Sequence, residues 1–366
     1  RRLFFRKVGV LRENFFKQKT TKNKKTIDNE KNIYYNVYIK IGEILRQEKI
    51  MSEFYTEKIE KSPRIDKLKA DLFKLPPQIE ADRAVLLTES YKATEGEPII
   101  MRRAKAFEHI LDNIPIIIRD GELIAGSATI RPRSCQVFPE FSFEWLEKEF
   151  DTVATRTADP FYISEDIKKT LHEVYKYWKG KTTSDLATSY MTPETLMAMK
   201  HNMFTPGNYF YNGIGHVTVD YGKVITYGYS EYIEEIEDEL SSMRVSDGNY
   251  CKKHALLEAM LISLRAVIRY AKRYSRLAKE MAGRESDGKR REELLKISEA
   301  CDRVPEFGAR DFHEACQSFW FVQMLLQTES SGHSISPGRF DQYMYPHYKK
   351  SLEAGMSREQ AQELID

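Results

Sequence analysis

Apolar residues recur along this chain in stripes of helical period, separated by breaks at proline and glycine, and those stripes predict most of its elements. Leu75-Pro76-Pro77 interrupts the chain before a helix predicted from Glu80 to about Thr94, where Gly96 supplies the stop. Pro98 suits a first turn, and Ile100, Ala104, Phe107 and Leu111 follow at helical spacing until Pro115. Ser164 caps a stripe of Ile167, Leu171, Val174 and Trp178 that ends near Gly180. Thr192-Pro193-Glu194 opens a short helix, and Ile233, Ile236, Leu240 and Met243 mark an acidic amphipathic one. The longest run, from about His254 to Met281, sets Leu257, Leu261, Leu264 and Ile268 against a basic face. Acidic neighbours offset that face, so it is expected to be solvated rather than to hold nucleic acid. Helices over 291–301 and 311–327 come next; the second is apolar along Ala315, Phe319, Val322, Leu325 and Leu326 and is expected to be buried. Asp120-Gly121, between Ile116-Ile117-Ile118 and Leu123-Ile124-Ala125, predicts a β-hairpin.

Length and composition narrow the class. The 366 residues allow one large domain or two ordinary ones, and 41% apolar with 12% aromatic residues excludes a disordered chain. No uncharged apolar run is long enough for a spanning helix, for which about 18 residues are needed. Cys135, Cys251, Cys301 and Cys316 lie far apart with no C-x-x-C pair. That spacing argues against a disulfide scaffold or a thiolate zinc site, and for a reducing cytoplasm. The net charge of +2 conceals a division: residues 1–50 carry 14 Lys+Arg against 5 Asp+Glu, leaving 43 against 50 for the remainder. The basic leader 1–50 starts at Arg1, holds no proline and shows no sustained period, so it is expected not to be native, with Met51 opening the folded part 51–366. At the other end, Ser357-Arg358-Glu359-Gln360 forms a capping box about two turns before Asp366, which suggests a chain truncated inside a domain.

Candidate chemistry sits in two loop-like segments. One runs from Thr205 to Tyr221 and contains Gly213-Ile214-Gly215-His216; the other runs from Glu329 to Asp341 and contains Gly332-His333-Ser334. Each puts a histidine directly after a glycine, beside small hydroxylated residues, where backbone can approach a ligand closely. The bland alternative is a pair of hydrogen-bonded structural histidines. Gly213-Ile214-Gly215 lacks the third glycine of a dinucleotide site, H-E-x-x-H is absent, and no G-x-S-x-G elbow supports a hydrolase drawn from Ser334, His333 and Asp341. Cys316 lies mid-stripe and is expected to act as a small core residue. Residue types alone therefore point to a site for a small polar, hydroxylated ligand, without a named reaction.

Longer segments carry a resemblance. Residues 87–98 (LTESYKATEGEP), 102–106 (RRAKA), 121–126 (GELIAG), 212–216 (NGIGH) and 332–343 (GHSISPGRFDQY), in that order, resemble the glycyl radical enzymes of the pyruvate formate-lyase-like superfamily over most of 60–366. The resemblance implies an α/β fold: a ten-stranded barrel in two antiparallel halves, wrapped by helices, of which this chain would hold the helix-rich N-terminal half. It also implies a catalytic cysteine in a Cys-x-Glu loop and a C-terminal glycyl radical loop. Neither is found here, and none of the four cysteines sits in a Cys-x-Glu segment. The chain by itself is accordingly expected to be inactive.

The subgroup most resembled is the cobalamin-independent glycerol/1,2-propanediol dehydratases, which convert a diol to an aldehyde and water. By position, His216, His333 and Ser334 would bind the diol hydroxyls, with His216 and His333 as catalytic groups on opposite sides of one buried polar cavity. The resemblance implies no bound cofactor or metal, and a glycyl radical installed by a separate S-adenosylmethionine-dependent iron–sulfur activating enzyme. It further implies a homodimer when complete, in the cytoplasm, with no nucleic acid or membrane partner. Pyruvate formate-lyase itself fits less well, because a carboxylate calls for arginines that these loops do not offer; Arg339 is expected to be structural. Alternatives are choline trimethylamine-lyase, hydroxyproline dehydratase, isethionate lyase, arylacetate decarboxylase and formate acetyltransferase-like enzymes, or a non-catalytic binding or scaffold half-domain.

Overall fold

The computed structural model describes residues 62–366, so the leader 1–50 lies outside the described residues. In chain order the elements are α1 (Pro63–Phe73), β1 (Gln78–Glu80), α2 (Asp82–Ala93), α3 (Ile99–Asn113), β2 (Ser134–Gln136), α4 (Glu144–Glu149), α5 (Glu165–Trp178), α6 (Thr183–Ser189) and α7 (Pro193–Lys200). There follow α8 (Tyr221–Tyr227), α9 (Tyr229–Ser242), α10 (Tyr250–Arg284), α11 (Gly288–Arg303), α12 (Phe312–Ser330), α13 (Phe340–Glu353) and α14 (Arg358–Ile365). The fold is helix-rich with a small sheet. β1 and β2 pair in parallel, Ile79 opposite Cys135, and isolated parallel bridges join Gln78 to Tyr162 and Thr218 to Ser336.

The predicted stripes form the helices, with boundaries set by caps. Ser164 accepts from the Ile167 amide at the start of α5, and Ser357 and Gln360 close the expected capping box at α14. Helix α12 explains its own composition. Its Phe321, Met324 and Leu325 belong to the main core with Phe107, Leu111, Leu171, Tyr270 and Tyr274. Its Phe312, Ala315, Cys316 and Val322 belong to a second core with Tyr221, Ile225 and Met344. A helix that is apolar nearly all round is one buried on both sides. The basic face of α10 is neutralised from outside: Arg269 pairs with Glu108 at 2.7 Å and Asp112 at 2.9 Å, Arg265 with Glu237, and Lys272 with Glu306 at 2.9 Å.

The hairpin expected around Asp120-Gly121 does not form. A turn is present, with Gly121 at φ +86° and the Glu122 amide donating to Arg119 O at 3.2 Å, but the flanking runs do not pair. Their backbone groups are taken by side chains of α10, α11 and α12. Gln317 bonds both the N–H and the C=O of Ala125 at 2.7 Å, Arg290 donates to Glu122 O at 2.8 Å, His313 donates to Leu123 O at 2.8 Å and, just before the first run, Arg273 donates to Ile114 O at 2.7 Å. Backbone groups partnered in this way need no neighbouring strand. Among the described residues, no helix is long and apolar enough to cross a membrane.

Candidate active site

The two histidine segments are positioned by the C-terminal end of α12. That helix closes at Ser331, in left-handed conformation (φ +52°), whose amide donates to Gln327 O at 3.0 Å. The last turn leaves carbonyls without helical partners. Arg83 of α2, 1% exposed, supplies donors to two of them: its Nε bonds Thr328 O at 2.7 Å and its guanidinium bonds Glu329 O at 3.1 Å. The same group forks onto Glu140 at 2.6 and 3.2 Å and lies 3.8 Å over the Phe138 ring. A buried cation is tolerated only with such complete pairing, and here the pairing anchors the chain three residues before Gly332 of the Gly332-His333-Ser334 loop.

The segments then cross with almost no space between their backbones. A Cβ built on Gly213 would fall against Ser330 O and 2.9 Å from Phe141 Cζ; one on Gly215 would fall against His333 O and 2.9 Å from His333 Nδ1. One on Gly332 would meet Ile214 O at 2.8 Å. These three positions require glycine because main chain lies where a side chain would go. The crossing is locked by two hydrogen bonds, His216 N to His333 O and Ser336 N to Val217 O, both 2.9 Å.

The crossing places the two imidazoles in contact, ring centroids 4.7 Å apart and planes at 89°. His216 (φ +55°) and Ser334 (φ +57°) both take the left-handed conformation, unusual for residues other than glycine and costing roughly 1–3 kcal/mol each. Tyr209 completes the cluster. Its hydroxyl lies 3.0 Å from Gly215 O and 3.1 Å from His216 Nδ1, and its ring is 5.8 Å from that of His333. His216 and Ser334 are exposed, whereas both ring nitrogens of His333 are buried without a hydrogen-bond partner among the described residues. A buried polar atom in that state typically costs about 1–3 kcal/mol. The rings touch directly, so they do not face one another across the buried cavity expected from the sequence.

A cleft of about 590 Å³ lies elsewhere, between α3, α8, α9, α10 and α12, lined largely by apolar side chains such as Phe107, Tyr232, Met260 and Leu326. Neither histidine lines it. Size alone would favour the cleft, but the unpartnered buried nitrogens and left-handed backbone at the histidine crossing make that crossing the candidate site.

A family model for pyruvate formate lyase-like proteins matches residues 55–366, which include every part of this site. The chain belongs to the pyruvate formate lyase-like family. Within it, a solved structure on 1,2-propanediol dehydration in Roseburia inulinivorans is 62% identical, with a TM-score of 0.82, covering 84% of this chain and 37% of that one. The glycerol-bound B12-independent glycerol dehydratase from Clostridium butyricum is 51% identical, with a TM-score of 0.81, over 85% of this chain and 39% of that one. Among curated proteins, the (2S)-3-sulfopropanediol dehydratase of Klebsiella oxytoca is 33% identical over 83% of this chain and 38% of its own length. The chain thus spans under two-fifths of the length of these pyruvate formate lyase-like relatives.

Other residues behave in this pyruvate formate lyase-like chain as their surroundings dictate. Burial pushes the thiols of Cys135 and Cys316 up to about 11 and about 12, and that of Cys301 higher still, while Cys251 is exposed. Cys316 packs in the second core as a small apolar residue. Arg339 is exposed, 3.8 Å from Asp341, and anchors nothing at the histidines. Among the described residues no group of three or more His, Cys, Asp or Glu side chains could hold a metal ion. Sequence reasoning passed over two residues, Tyr209 and Arg83. The first was visible as an aromatic run, Tyr209-Phe210-Tyr211, seven residues before His216; the second was an arginine on the apolar side of a helix.

Proposed function

We propose that His216, His333 and Ser334 hold the hydroxyls of a small vicinal diol, in a whole protein that is a glycyl radical diol dehydratase converting propane-1,2-diol or glycerol to an aldehyde and water. The observation that carries this reading is His333, whose two buried nitrogens have no hydrogen-bond partner among the described residues where the ring faces Tyr209 and His216. Such a donor–acceptor set suits a neutral hydroxylated ligand; a carboxylate or sulfonate would call for a cation. The 62% identity to the structure on propanediol dehydration supports the diol.

Removal of a hydrogen atom from the diol would be supplied by the family's glycyl and thiyl radicals, on residues outside these 366. The residues of this chain bind, orient and move protons. One imidazole draws the proton of the hydroxyl on the reacting carbon, the other hydrogen-bonds the hydroxyl that departs, and Ser334 orients the substrate. The parallel bridges at β1, β2, Tyr162, Thr218 and Ser336 are read as strand segments of a barrel half completed by further chain. The whole protein would be a cytoplasmic homodimer served by a separate S-adenosylmethionine-dependent activating enzyme, with residues 1–50 outside its native part.

The test uses the complete reading frame, activated anaerobically, with a Cys-x-Glu loop expected after Asp366. His216→Ala and His333→Ala should lower aldehyde formation from propane-1,2-diol by about a hundred- to ten-thousand-fold with little change in melting temperature, and Ser334→Ala less. Activity falling only in proportion to lost fold would make the histidines structural. A wild type that ignores diols but releases trimethylamine from choline would keep the family and overturn the substrate.

A further inference from the structure

The hydroxyl of Tyr209 faces two atoms at once, Gly215 O at 3.0 Å and His216 Nδ1 at 3.1 Å. A phenol carries one proton, and a carbonyl oxygen can only accept. If the proton went to Nδ1, the phenol oxygen would stand 3.0 Å from the carbonyl oxygen with lone pairs opposed. If it goes to Gly215 O, the phenol lone pair is free to accept from Nδ1–H, and both contacts are satisfied. We propose that Tyr209 is a positioning residue that fixes His216 as the Nδ1–H tautomer and leaves Nε2 as the ring's proton-accepting atom.

The consequence extends to the charged ring. An imidazolium donates from both nitrogens, so the Nδ1–H to Tyr209 contact is the same before and after protonation. His216 then takes up and gives back its proton at Nε2 alone, where no partner occupies it among the described residues. In proton balance, a ligand hydroxyl that loses its proton breaks O–H as Nε2–H forms; Tyr209 keeps its own proton on Gly215 O throughout. The three residues lie within one segment, 209–216, so the arrangement persists if that segment shifts to admit a ligand. The use of this tautomer as a base rests on the diol reading above; the tautomer itself does not.

The complete reading frame, labelled with ¹⁵N-histidine, decides the matter through two-bond ring correlations, with His216 identified by the signals lost in His216→Gln. Above the pH at which the ring titrates, Nδ1 should show the protonated shift and Nε2 the unprotonated one. Tyr209→Phe should return the ring toward the Nε2–H form that free histidine favours. A wild-type Nδ1–H fraction no higher than that of a free histidine side chain would overturn the proposal, and needs no variant. So would a Tyr209→Phe protein, folded by its amide spectrum, with an unchanged ratio. Adding propane-1,2-diol to the same sample separates the two readings. Loss of diol-dependent shifts sinks the substrate, whereas an Nε2–H majority sinks only the role of Tyr209.

Discussion

Gly215→Ala tests whether the histidine site is a crossing of two backbones. The new methyl would lie against His333 O and 2.9 Å from His333 Nδ1, closer than real Cβ atoms come. To restore ordinary contact the segments must part by about 1 Å, and the 2.9 Å hydrogen bond from His216 N to His333 O then breaks. Losing that bond removes about 0.5–1.5 kcal/mol, and overpacking adds about 1–3 kcal/mol. The sum, about 1.5–4.5 kcal/mol, is confined to the crossing and so is best read locally. Amide hydrogen exchange at His216 should accelerate roughly 10- to 1,600-fold, at about 1.4 kcal/mol per factor of ten. Gly207→Ala is the internal control, since a Cβ there meets nothing within 4 Å. Exchange at His216 in Gly215→Ala within about threefold of both wild type and Gly207→Ala would refute the close approach.

Three further outcomes follow from the same structure. Arg83→Met should destabilise by about 3–5 kcal/mol, because Glu140 and two α12 carbonyls lose their donors, whereas Arg103→Met, at an exposed 3.4 Å pair with Glu329, should cost about 1 kcal/mol or less; equal melting temperatures for the two would contradict the buried anchor. Burial holds the imidazoles of His313 and His347 below their ordinary value, so between about pH 6.5 and their lower folded values the unfolded chain binds more protons and stability falls as pH falls. His313→Gln, which can still donate to Leu123 O, should flatten the melting curve against pH between about 7 and 5; an equally steep curve would exclude it. Cys251 should be alkylated at pH 8 at least about a hundredfold faster than Cys135, Cys301 or Cys316, followed by peptide mass mapping.

The long helices were legible because their evidence is local: an apolar stripe, in some with a side-chain cap or a Gly or Pro stop beside it, within one stretch of chain. The pair His216 and His333 was legible too, through glycines whose need for close backbone approach is a local property. What escaped was whatever depends on distant partners. The hairpin at Asp120-Gly121 failed because Gln317, Arg290 and Arg273, all more than 150 residues away, take its backbone groups. The parallel pairing of Ile79 with Cys135 leaves too short a trace, three residues on each side. Helix α13 has no counterpart among the predicted elements, because Pro346 sits inside it and breaks the helical pattern. Tyr209 could not be singled out, since its meaning comes from atoms that the crossing brings to its hydroxyl.

The joint at Gly213, Gly215 and Gly332 is closed chiefly by main-chain carbonyls, those of Ser330, His333 and Ile214, and so depends little on side-chain chemistry. On the proposed reading, exchanging His216 or Ser334 changes what the site recognises more than how the two segments meet. The frame and the specificity are in this sense separable. A scaffold with that property can be re-tooled for a new ligand by changing a few side chains, while substitution at any of the three glycines would cost every ligand alike.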